Sequence, residues 1–99
     1  MNRYFEMTET AVKATWRKLS DNSVHIPTQW LIEGDKQDGY TVSAVDNDLC
    51  GFDFLTIRTL YAAKRFIDQV NETGTTDMKK YCSVGSFAWA NYPLPAKVN

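Results

Sequence analysis

Histidine and cysteine are scarce in this chain of 99 residues, which contains one histidine, His25, and two cysteines, Cys50 and Cys82. A lone histidine does not supply the closely spaced ligands of a standard zinc site. The five glycines are scattered, and no Gly-rich loop that could cradle a phosphate precedes a predicted helix. Because catalytic and cofactor motifs are missing, we expect a protein that is not an enzyme and that holds no cofactor or metal.

Long apolar runs are also missing, since no stretch approaches the roughly 20 residues that cross a bilayer. No apolar segment of signal-peptide type follows Met1, so we expect a cytoplasmic protein with free thiols. The composition is that of a folded protein, with 43% hydrophobic and 13% aromatic residues, because disordered chains are poor in aromatics. The length suits a single domain, residues 1–99.

One helix is strongly indicated from about Leu60 to Glu72. Its apolar residues recur at helical spacing and form one continuous stripe; they are Leu60, Ala63, Phe66, Ile67 and Val70. Thr59 is a suitable N-cap, and Gly74 is placed to end the helix.

Three strands are predicted before this helix, at Gln29–Glu33, Tyr40–Val45 and Gly51–Ile57, because apolar and other residues alternate in each. Turn-forming residues separate them, in Gly34–Gly39 and in Asp46–Asp48. The pattern therefore predicts a three-stranded antiparallel meander that leads into the helix.

The N-terminal region fits two structures. Val12, Trp16 and Leu19 are spaced as on one face of a helix, which favours a helix that starts near Thr8. Val12, Ala14 and Trp16 also alternate, as in a strand. We expect the helix.

The C-terminal part is predicted as a short extension. Thr76-Asp77 can cap one helical turn through Tyr81, and Ser86–Tyr92 is a candidate strand ended by Pro93 and Pro95. The predicted order is α-β-β-β-α plus this extension. The expected fold is therefore α+β, with a three-stranded antiparallel meander packed against one or two helices.

Charge is unevenly distributed along the chain. The segment from Glu33 to Asp53 holds six carboxylates and one lysine, whereas the net charge of the whole protein is −1. We expect this acidic hairpin region to meet a basic surface on a partner protein. The predicted partner-binding residues are the acids Asp35, Asp38, Asp46, Asp48 and Asp53, with Tyr40 and Trp89 as exposed aromatic anchors.

The second hypothesis is an association with nucleic acid through basic residues near the helix. Arg58, Lys64 and Arg65 lie toward its N-terminal end, which opposes the helix macrodipole and suggests a contact role. The complete candidate set is Arg58, Lys64, Arg65, Lys79 and Lys80. The element order matches double-stranded-RNA-binding domains, but the basic cluster of their second helix is missing. A sequence pI near 5.7 also disfavours this hypothesis.

A third hypothesis is self-association, in which the acidic segment of one copy contacts the basic C-terminal half of another. Such a head-to-tail contact must close into a ring, or it forms an open polymer.

The strand-to-helix passage Phe52–Thr56 followed by Thr59–Ile67 resembles that of many small phage and mobile-element accessory proteins, including anti-defence proteins of the anti-CRISPR type. The resemblance implies stoichiometric binding to a bacterial protein. Nucleic-acid-handling machinery is a candidate for that partner. Some inhibitors of that class present acidic surfaces to nucleic-acid-binding grooves. The resemblance carries over no functional residue.

Overall fold

The computed structural model describes residues 3–94, which form two antiparallel sheets and two α-helices. The elements in chain order are β1 (Tyr4–Ala11), β2 (Ala14–Lys18), β3 (Val24–His25), β4 (Gln29–Asp35), β5 (Gly39–Val45), β6 (Gly51–Ile57), α1 (Leu60–Thr73), α2 (Met78–Tyr81) and β7 (Trp89–Pro93). A 3-10 helix, Val84–Ala88, precedes β7. The prediction of an α+β fold is confirmed.

The larger sheet has the strand order β1-β4-β5-β6. The predicted meander corresponds to β4, β5 and β6, which pair in sequence as antiparallel neighbours. The prediction of only three strands is wrong, because β1 pairs with the free edge of β4. The β1 ladder is interrupted between Met7 and Ala11, where the register shifts.

The predicted N-terminal helix is wrong, because this region forms strands β1 and β2. Val12, Ala14 and Trp16 are buried, whereas Leu19 is 63% exposed. The buried apolar side chains therefore recur every two residues, as in a strand. Leu19 matched the helical spacing without contributing to the core.

A second sheet forms from β2, β3 and β7, with β2 in the centre. Trp16 lies opposite His25 on one side and Asn91 on the other. The predicted C-terminal strand is shorter than expected, because the 3-10 helix replaces its first half. Pro93 is the last residue of β7, and Pro95 lies outside the described residues.

The two faces of the larger sheet differ in what covers them. Helix α1 and the second sheet contribute their buried side chains to one face, here called the closed face. There Trp16 stacks on Phe52 with ring centroids 5.0 Å apart, and Phe54 lies 5.1 Å from Phe66 of α1. The opposite face is here called the open face.

Both predicted helix ends of α1 are confirmed. The Thr59 side chain accepts a hydrogen bond from the Ala62 N–H at 3.0 Å, and Gly74 ends the helix with a φ of 74°. A Cβ at Gly74 would lie 2.4 Å from the backbone of Pro93, so β7 also requires glycine at this position.

Asn71 anchors the C-terminal end of α1 to the region where the chain passes from one sheet to the other. Its Oδ1 accepts from the Lys13 N–H at 2.9 Å and from the Trp30 indole at 3.2 Å. Its Nδ2 donates to the Ala11 carbonyl at 2.9 Å. One side chain therefore fixes the helix relative to the larger sheet and to the linker that leads into β2.

The predicted short turn is also confirmed as α2, because the Asp77 side chain accepts from the N–H groups of Lys79 and Lys80. None of the helices formed by residues 3–94 is long and apolar enough to span a membrane.

Candidate functional site

The acidic residues predicted to form one partner-binding surface lie at two ends of the larger sheet. Asp35 and Asp38 flank the β4–β5 turn, and Asp46 and Asp48 flank the β5–β6 turn. Strand β5 separates the two turns, which places them roughly 20 Å apart at the usual rise per residue. They do not form a single patch.

Each turn is held by a carboxylate of its own. Asp35 accepts hydrogen bonds from the N–H groups of Gln37 and Asp38. Asp46 accepts from the N–H groups of Asp48 and Cys50, and these bonds lower the pKa of its carboxyl group. Asp35 and Asp46 therefore have a structural role in addition to their charge.

The expectation that Tyr40 is an exposed anchor is wrong. Tyr40 is 7% exposed and belongs to the core on the closed face, where it lies opposite Gly34 and Ile57. Trp89 is half-buried, and its ring packs edge-on against Phe52 at 5.4 Å. Tyr40 therefore presents no ring to a partner, whereas Trp89 keeps part of its surface exposed.

The open face combines acidic groups with exposed apolar groups. Its rows follow from the strand register, because residues directly opposite one another point to the same face. One row is Phe5, Glu33 and Thr41, and the next is Met7, Leu31, Ser43 and Asp53. Asp53 is thus the one predicted partner-binding acid that lies within this face rather than at a turn.

Cations are missing from the strands that build this face. The four strands of the larger sheet contain five carboxylates and no lysine or arginine. Arg3, just before β1, pairs with Asp35 at 3.8 Å at one end of the sheet. Glu33 and Asp53 have no such ion pair among residues 3–94.

Two apolar side chains project from the open face. Phe5 is 63% exposed and Leu55 is 42% exposed. Leu31 and Val45 are buried but do not belong to the closed-face core, so they form an apolar floor on the other side. The Ser43 hydroxyl donates to Asp53 at 2.6 Å and holds that carboxylate beside the floor.

Phe5 and Leu55 were not predicted as contact residues, and Glu33 was predicted only as a member of the acidic segment. A signal for Leu55 was present in β6, where Phe52 and Phe54 alternate with Asp53 and Leu55. Phe5 carried no comparable signal, because β1 was not recognised as a strand.

A second surface runs along one flank of α1 as a groove of about 410 Å³, here called the basic groove. Its floor contains Ile57 and Phe66, which are 6% and 7% exposed. Its lining residues are Ile57, Arg58, Tyr61, Ala62, Arg65, Phe66, Gln69 and Tyr81. No carboxylate is among the described residues that line it.

The structure brings together only part of the predicted basic set. Arg58 and Arg65 line the basic groove, and Lys80 lies with its Nζ 5.2 Å from the Tyr81 ring centroid at the groove wall. Lys79 is exposed on α2, and neither Lys79 nor Lys80 is among the residues that line the groove.

Lys64 lies on the opposite flank of α1. Its Nζ pairs with Glu6 at 3.5 Å in a separate groove of about 530 Å³ between β1 and α1. Glu9 and Asp68 also line that groove. The hydrogen bond from Tyr4 and, secondarily, the charge of Lys64 lower the pKa of Glu6. The two flanks of one helix therefore differ in sign of charge.

The two cysteines are free thiols of different character. Cys50 is exposed on the β5–β6 turn. Cys82 is partly buried, and desolvation followed by the charge of Asp53 raises its pKa to about 11. A thiol with this pKa is a weak nucleophile at neutral pH because little thiolate is present. In residues 3–94, no cluster of three or more His, Cys, Asp or Glu side chains could hold a metal ion.

Compared with known protein families, curated proteins and solved structures, the chain shows no match.

Proposed function

We propose that the protein is a non-enzymatic binding module that docks a basic surface of a partner protein on the open face of its larger sheet. It acts as a stoichiometric inhibitor or accessory factor, and the partner is a bacterial protein of the nucleic-acid-handling machinery. The resemblance to phage accessory proteins supports this choice of partner. One observation carries the proposal: Glu33 and Asp53 stand beside exposed Phe5 and Leu55 on a sheet whose strands contain no cation.

The charges and the apolar groups have separate tasks in this proposal. Glu33 and Asp53 select a basic partner, and the turn acids Asp38 and Asp48 speed the encounter from both ends of the sheet. Surface ion pairs alone contribute little affinity. Burial of Phe5 and its neighbours supplies the larger part, as apolar and aromatic anchors do at other interfaces.

Self-association is the rival use of the open face. A second copy could place its basic groove against this acidic sheet, because the two surfaces have opposite charge. The contact would be head-to-tail, so the mass of the particle would rise with protein concentration.

The test is affinity capture by the tagged protein from a bacterial lysate that also contains untagged copies, with and without nuclease treatment, and the captured proteins are identified by mass spectrometry. The test variant combines Glu33→Lys with Phe5→Ser on the open face. The matched control is Glu72→Lys, which reverses an exposed carboxylate on α1. We expect wild type and control to retain the same stoichiometric partner, with binding that weakens as salt increases, and we expect the open-face variant to lose it.

Three results would contradict the proposal. They are partner retention by the open-face variant, capture that disappears on nuclease treatment, and capture of the protein's own untagged copies alone. The last result, together with a concentration-dependent mass in light scattering, would establish self-association instead.

A further inference from the structure

The basic groove carries an inference that does not depend on the proposed function, because it concerns a different surface and a different class of ligand. Two arginines line this groove. Arg58 lies just before the N-cap of α1, and Arg65 lies in its second turn. The first turn of α1 contains no acidic residue. The positive end of the helix dipole therefore adds to the two guanidinium charges.

These cations differ from Lys64 in having no local counter-charge. Lys64 is paired with Glu6, whereas Arg58, Arg65 and Lys80 form no ion pair with any residue from 3 to 94. Two arginines without partners line the groove, and Lys80 lies over the ring of its lining residue Tyr81. Together they form a positive surface on a protein whose net charge is −1. Such a surface attracts an anion of extended shape.

Aromatic rings line the groove together with the arginines. Tyr61 is 74% exposed on the groove rim. Tyr81 also lines the groove, where its ring meets Phe66 edge-on at 4.9 Å, and Lys80 lies over it. The packing on Phe66 fixes Tyr81, while the ring of Tyr61 stays free to stack on a ligand.

We propose that the basic groove binds a short single strand of nucleic acid. Phosphates contact Arg58, Arg65 and Lys80, and a base stacks on Tyr61. A charged groove with aromatic stacking platforms is the general solution for single-stranded nucleic acid. An acidic peptide would use the same cations but would leave the exposed face of Tyr61 without a planar partner, so the strand fits the groove better.

The experiment measures fluorescence anisotropy of a labelled oligo(dT) of about twelve nucleotides, within the site size of small single-strand binders. Wild type should bind at low salt, with an affinity that falls steeply as salt increases. The combined change Arg58→Gln with Arg65→Gln should weaken binding at least about tenfold. It should also reduce the slope of log K against log salt by about 1.4, because two phosphate contacts are lost.

Lys64→Gln is the matched control, since it removes one cation from the neighbouring position on the other flank of α1. Its affinity for oligo(dT) should stay within about twofold of wild type, whereas Arg65→Gln should weaken binding about fivefold or more. Tyr61→Leu keeps an apolar side chain but removes the ring. It should weaken binding about 5- to 100-fold without changing the salt slope.

Circular dichroism of each variant shows whether the fold is retained, and Tyr61→Leu at an exposed site should leave it intact. The inference is overturned if oligo(dT) does not bind at low salt, or if Lys64→Gln and Arg65→Gln weaken binding equally. It is also overturned if an oligo-glutamate peptide competes better than unlabelled oligo(dT). That result would assign the groove to acidic protein segments.

Discussion

The open face and the basic groove are alike in architecture and opposite in charge. Each places an exposed aromatic ring, Phe5 or Tyr61, above a buried apolar floor. The open face carries Glu33, Asp35 and Asp53 on strands that contain no cation, whereas the groove is lined by arginines and no described carboxylate. The uneven charge along the chain is thus preserved only in part, because the turn acids lie at the two ends of the sheet. One small fold can thereby offer two surfaces that select different partners.

The largest effect is expected from a pair of phenylalanines on opposite faces of the sheet. Phe54→Ala empties a fully buried site between Trp16, Trp30 and Phe66. It should lower the free energy of unfolding by about 3–5 kcal/mol. Phe5→Ala should change it by no more than about 0.5 kcal/mol, because Phe5 already faces solvent. Urea denaturation measures both values, and a cost above about 2 kcal/mol for Phe5→Ala would show that the open face is covered.

The next effect concerns the placement of α1, on which the basic groove depends more than the sheet face does. Asn71→Ala removes three hydrogen bonds to Lys13, Trp30 and Ala11. It should lower the free energy of unfolding by about 2–3 kcal/mol, since each bond contributes about 1 kcal/mol. Asn71→Asp is the control that keeps the acceptor and loses only the donor, so its cost should be smaller. Equal costs for the two variants would mean that the acceptor bonds contribute nothing.

A smaller effect is expected from the N-cap of α1, which supports the basic groove but not the open face. Thr59→Ala removes the N-cap at the head of the basic groove and should cost about 1 kcal/mol in thermal or urea unfolding. Thr59→Ser keeps the cap and should stay close to wild type. Binding at the groove should weaken in Thr59→Ala, whereas partner capture by the open face should not change. A loss of both binding activities would indicate a shared surface.

The smallest effect is a pH dependence at the sheet end. The pKa of Asp46 is lower in the folded protein than in the unfolded chain. Its stabilising contribution is therefore complete above the unfolded pKa of about 3.9 and is lost as pH falls through the folded pKa. Melting temperatures of wild type and Asp46→Asn, measured from neutral pH down to about pH 2.5, should converge in acid. A gap of constant size would assign the effect to packing.

How far the sequence predicts this structure depends on the range of the interactions. Helix α1 was predicted almost to the residue, because its stripe and both caps are local signals. The meander followed from turn residues between alternating segments. The N-terminal helix was predicted wrongly because Val12 and Trp16 fit both the helical and the strand periodicity. Only the burial of Ala14 and the exposure of Leu19 show that the strand periodicity is the correct one.

The candidate surfaces were less predictable because side-chain exposure depends on distant partners. Tyr40 is of a residue type that is common at interfaces, yet its neighbours in the folded sheet, Tyr4 and Ile57, bury it. Lys64 and Arg65 are adjacent in sequence, yet they lie on opposite flanks of α1 and only one has a counter-charge. Local patterns assign a residue to an element but do not identify what packs against it.

The pairing of β2 with β7 has a consequence for the order in which the chain folds. Ala14 lies opposite Pro93 and Lys18 opposite Trp89, so this ladder closes a loop that contains most of the chain. Loop closure of this length has a high entropic cost, and such contacts form late. On the ribosome, the larger sheet and α1 can assemble first, whereas the β2 strand that contains Trp16 can pair with β7 only after β7 has been synthesised. Tyr81, a wall residue of the basic groove, precedes β7 in the chain and packs on Phe66 of α1, so the groove can form before the second sheet closes.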